Sequence, residues 1–103
     1  MPELTYLDFE HADAGDGVHA LEAMASTRAD QHPAVMAEVE QVLAWAWRQF
    51  PDGHGPLDDG QDWDHDLRVV AEPGGWHTVS LTISATAHFV DAFEQAFGAL
   101  GQG

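Results

Sequence analysis

The sequence predicts a small α+β domain: an antiparallel sheet of three or four strands, in the order β(β)αββα, with two helices packed on one face of it. Three observations carry this. Two runs in the second half alternate apolar and polar residues on either side of Pro73-Gly74-Gly75. Two other runs repeat apolar residues at the spacing of a helical face. Each of these elements has only one apolar side, so burying them together asks for two layers. The 103 residues suit a single domain, 1–103, with one modest core.

Leu4 to His11 alternates, with Thr5, Leu7, Phe9 and His11 on one side and Leu4, Tyr6, Asp8 and Glu10 on the other. Asp13-Ala14-Gly15-Asp16-Gly17 has the composition of a turn. Residues 18–26 fit two descriptions. They can return as a strand that sets Leu21 and Ala23 beside Phe9 and Leu7, or form a short helix from Ala20, Leu21, Glu22, Ala23 and Met24. The glycine turn between two runs of similar length favours the hairpin.

The first helix opens near Asp30 or His32, with Pro33 in its first turn, and stops before Pro51. Val35, Val39, Val42, Leu43, Ala46 and Phe50 form its stripe at ~100° per residue. Trp47 lies ~80° from the stripe's centre and is expected against the sheet. Trp45 lies ~120° away on the opposite flank, among Ala34, Ala37, Glu38, Gln41 and Arg48. An exposed tryptophan is a candidate contact residue, because tryptophan is enriched at binding hot spots. The competing expectation is that the following loop or residues 18–26 fold back over it.

A Gly- and Pro-containing loop runs from Pro51 to Asp62, and the alternating strand Trp63–Glu72 follows. Its partner is Trp76 to Ser84. A three-residue loop at Pro73-Gly74-Gly75 sets Val69 against Val79, Leu67 against Leu81, His77 against Ala71 and His65 against Ile83. A two-residue loop would oppose Val69 to Ser80 and mix the faces. The final helix starts near Ser84 or Thr86 and buries Phe89, Ala92, Phe93, Ala96, Phe97 and Leu100, with Gly98 weakening its end and Gly101 available to terminate it. The outer sheet face then carries Asp64, Asp66, Arg68, Thr78, Ser80 and Thr82.

Eighteen acidic residues face three arginines and no lysine, for a net charge of −15. Nucleic acid and anionic membrane are therefore improbable ligands, since both are bound mainly through lysine and arginine. A basic protein is a reasonable partner. The absence of cysteine removes disulfides, iron–sulfur clusters and thiolate zinc sites. No signal peptide or long apolar span is evident, and a cytoplasmic location is expected.

No pattern specifies a reaction. There is no Gly-x-Ser-x-Gly elbow, no phosphate loop and no His-Glu-x-x-His among the seven histidines. Asp62-Trp63-Asp64-His65-Asp66 has Leu67 where a calcium loop needs glycine. The expectation is an acidic binding module (an adaptor, inhibitor or immunity-like protein) that docks a basic protein surface and holds no cofactor or metal. The residues assigned to the partner are Trp45, Asp58, Asp59, Asp62, Asp64 and Asp66. The alternative is a divalent-cation-binding or metal-sensing protein using the acidic loop 58–66. A monomer or weak homodimer is expected, because the net charge opposes self-association.

Overall fold

Alternation and turn chemistry act together most clearly in the second half of the chain, where β3 (Trp63–Glu72) and β4 (Trp76–Ala85) form a regular antiparallel hairpin. The computed structural model describes residues 4, 6–15, 17–51, 62–98 and 101–102. Val69 pairs with Val79, Leu67 with Leu81, His65 with Ile83 and Ala71 with His77, the register that the three-residue loop requires. Gly74 and Gly75 both adopt positive φ, which lets the chain reverse with no side-chain penalty. The remaining strands are β1 (Glu10–Gly15), β2 (Val18–Arg28) and the two-residue β5 (Gly101–Gln102). The sheet order is β3-β4-β2-β1-β5, with β1 to β4 antiparallel and β5 parallel to β1.

Residues 18–28 are a strand, not a helix. Leu21, Ala23, Ala25 and Thr27 are buried on one face, while Glu22, Met24, Ser26 and Arg28 are exposed on the other. Good helix formers take strand geometry here because β2 lies between β1 and β4, where a period of two matches a sheet covered on one side. The first hairpin forms later in the chain than its alternation suggests. Glu10 pairs with Glu22 and His11 with Leu21, a slip of two residues that keeps Leu7 and Phe9 on the buried side. The segment before it is held differently: Tyr6 and Leu7 donate backbone N–H groups to the Glu38 carboxylate, at 3.0 and 2.9 Å to Oε1.

The helices α1 (His32–Gln49) and α2 (Ala87–Phe97) pack on the same face of the sheet. In α1 the N-cap is Gln31, and no side chain caps it. In α2 the cap is Thr86, whose hydroxyl accepts the Phe89 N–H at 3.3 Å. Gly98, at φ 98°, ends α2 earlier than Gly101, which instead lies in β5. Leu100 lies outside the described residues.

The buried side of α1 is Val35, Glu38, Val39, Val42, Trp45 and Ala46. This corrects the expected stripe, which is rotated too far toward Leu43. Phe50 is the C-cap, at φ −129° and ψ 73°, so its direction does not follow the 100° rule that drew it into the stripe. With Phe50 and the half-buried Leu43 set aside, the centre turns toward Trp45.

Trp45 is only 7% exposed and belongs to the core. Its ring meets Phe89, Phe93 and Phe97 of α2 edge-on, with centroids 5.3–5.7 Å away. Trp47 takes the outer flank at 47% exposure, with one edge on the fully buried Trp63. Trp63 in turn stacks on Phe89 at 5.8 Å.

Candidate partner-binding face

With both helices on one side, no described helix covers the other face of the sheet. Register orders its side chains into rows across β3, β4, β2 and β1. One row is Asp66, Thr82, Glu22 and Glu10; the next toward the hairpin tip is Arg68, Ser80 and Met24; then come Val70, Thr78 and Ser26; the last is Glu72, Trp76 and Arg28. Asp8, Glu10, Glu22, Met24, Ser80 and Thr82 line a shallow open depression on this face, with Ala23 backing it. Three carboxylates thus converge from β1, β2 and the segment leading into β1. Strand geometry makes this unavoidable, because Leu7, Phe9, Leu21 and Ala23 must face the helices and their neighbours must point away.

The residues assigned to a partner from the sequence fall into three groups. The expected exposure of Trp45 is corrected: it lies in the aromatic core and is almost fully buried. Asp58 and Asp59 lie outside the described residues. Asp62, Asp64 and Asp66 lie at alternate positions leading into and along β3. Asp62 accepts a hydrogen bond from the Thr86 hydroxyl at 3.0 Å, and its carbonyl accepts the Thr86 N–H at 2.9 Å. It therefore ties the strand's start to the N-terminus of α2. Asp64 accepts the backbone N–H of His65 at 2.9 Å. Asp66 is exposed and paired with Arg68 at 3.0 Å.

Four of the histidines form two pairs. His11 and His19 share a 2.8 Å hydrogen bond between Nε2 and Nδ1, and the rings of His32 and His77 stack at 4.8 Å. Among the described residues no three His, Asp or Glu side chains are grouped as a metal site would require. No helix among them is long and apolar enough to cross a membrane.

Glu22, Met24, Asp8 and Glu10 are the face residues that the sequence reading did not assign to a partner. Asp8 and Glu10 stood on the polar side of the alternating run 4–11; the signal for Glu22 and Met24 was the alternation of residues 20–28, obscured by the helix-forming composition of the same run. Compared with models of known protein families, with curated proteins and with solved structures, the chain matches none.

Proposed function

We propose that this protein is a cytoplasmic acidic binding module that docks a basic protein surface through the open face of its sheet. The observation that supports this reading most directly is the depression lined by Asp8, Glu10 and Glu22 around the exposed Met24. Asp66 extends the same row toward β3. Carboxylates held on a sheet face can meet lysine and arginine from a rigid partner without rearranging their own backbone. Met24 adds an adaptable apolar contact among them. A surface of this kind acts chiefly on the rate of encounter and on partner choice, so binding should weaken steeply as salt rises.

Affinity capture from a native lysate at low salt tests the reading. Basic proteins should be retained and then released at high salt. The triple variant Asp8→Asn, Glu10→Gln, Glu22→Gln should retain them poorly. Equal retention by the variant and the natural chain would overturn the assignment of this face.

A further inference from the structure

The strand β3 forms one edge of the sheet, and its charged residues are concentrated toward its start. It runs for ten residues without proline, lysine or bulge, and its register with β4 is unbroken. The direction of its free backbone groups can be assigned. Thr86 donates its N–H to the Asp62 carbonyl, so Asp62 and Thr86 form a hydrogen-bonded pair, and every second pair along the ladder repeats it. Even-numbered residues of β3 therefore bond to β4. Leu67, Val69 and Ala71 turn their N–H and C=O groups outward, and no described residue pairs with them there.

Charge divides the same strand in two. Its start carries Asp64 and Asp66, close to the acidic face, whereas residues 67–73 carry one cation, Arg68, and one anion, Glu72. Within that neutral stretch, Val69 is 45% and Val70 53% exposed, and neighbouring Trp76 is 40% exposed. Exposed apolar side chains beside an open, neutral edge mark a contact surface.

We propose that two copies of this chain associate through this edge, antiparallel, about a two-fold axis at Val70. Such an axis places Val70 against Val70 of the second copy. It exchanges backbone hydrogen bonds between Val69 and Ala71, and sets Arg68 against Glu72 on both sides of the axis. Other centres fit less well. An axis at Arg68 opposes two guanidinium groups, and one at Val69 opposes Asp66 to Glu72. An axis at Leu67 draws the Asp64–Asp66 end of each strand into the overlap. The Val70 axis also holds the two acidic ends farther apart than any of these centres does, which limits the repulsion expected from a charge of −15 on each copy. The overlap is short, so the dimer is weak, below the ~1,200 Å² of standard stable interfaces.

Sedimentation equilibrium and amide chemical shifts, followed from micromolar to millimolar chain concentration, test this. The mass should rise toward that of a dimer, with shift changes centred on residues 67–72. Arg68→Glu and Glu72→Arg should each fold normally and stay monomeric. An equimolar mixture of the two should dimerise, because position 68 of each chain then faces a side chain of opposite charge at position 72 of the other. A monomer at millimolar concentration would overturn the proposal. So would shift changes on another surface, a Glu72→Arg variant that dimerises like the natural chain, or a mixture that stays monomeric.

Discussion

The two ends of the β3–β4 hairpin share one pattern and differ in what covers it. At the open end Trp63, Leu81, Ile83 and Ala85 are fully buried beneath the helices. At the turn end Val69 and Ala71, on the same face of the same strand, are exposed. Position in the sheet explains the contrast: β3 is an edge strand, and its partner Val79 on the inner strand β4, directly opposite Val69, is still fully buried. The helices therefore cover the inner strands further toward the turn than they cover β3. The covered end becomes core, and the uncovered end becomes surface with apolar side chains still in place. Alternation therefore reports which face of a strand points toward the core; it does not report how far along the strand the core extends.

That comparison can be broken at its strongest point first. Trp45→Ala removes the ring at the centre of the phenylalanine cluster and is expected to lower stability by about 3–5 kcal/mol. Chemical denaturation would check this, and a loss below about 1 kcal/mol would show that the covered end is not one core. Glu38→Ala comes next. It strips the buried acceptor from the Tyr6 and Leu7 N–H groups, for an expected loss of about 1–3 kcal/mol. Hydrogen exchange at those two amides should accelerate along with it.

Thr86→Ala should lower the thermal midpoint through a loss of about 1 kcal/mol, because it removes the α2 cap and the Asp62 hydrogen bond together. Val69→Ala, on the same face as Leu81 but beyond the helices, should change stability by no more than about 0.5 kcal/mol. A large loss there would mean that the turn end is covered after all.

How much was legible varies along the chain for physical reasons. The β3–β4 register could be read because only one loop length puts Val69 and Leu67 opposite apolar partners, and the positive φ of Gly74 and Gly75 agrees with that loop. The start of β1 could not be read from alternation. Tyr6 and Leu7 alternate as a strand would, yet their N–H groups go to Glu38, more than thirty residues away. Trp45 and Trp47 were exchanged because a helical wheel weights the half-buried Leu43, and Phe50 past the last turn, like any other position. On the candidate face, Asp8 and Glu10 were visible as the polar side of an early strand. Glu22 and Met24 joined them only once residues 18–28 were known to pair with both β1 and β4.

The sequence alone determined the acidic character, the α+β class, the second hairpin and the side of each of its two strands that faces the core. These follow from charge count and from a period of two, which are local properties. Only the tertiary structure decided which tryptophan is buried, that β2 sits centrally, and that carboxylates from separate segments meet on one face. Those outcomes depend on how far the helices reach across the sheet and on which distant group satisfies a backbone donor. No window of neighbouring residues carries that information.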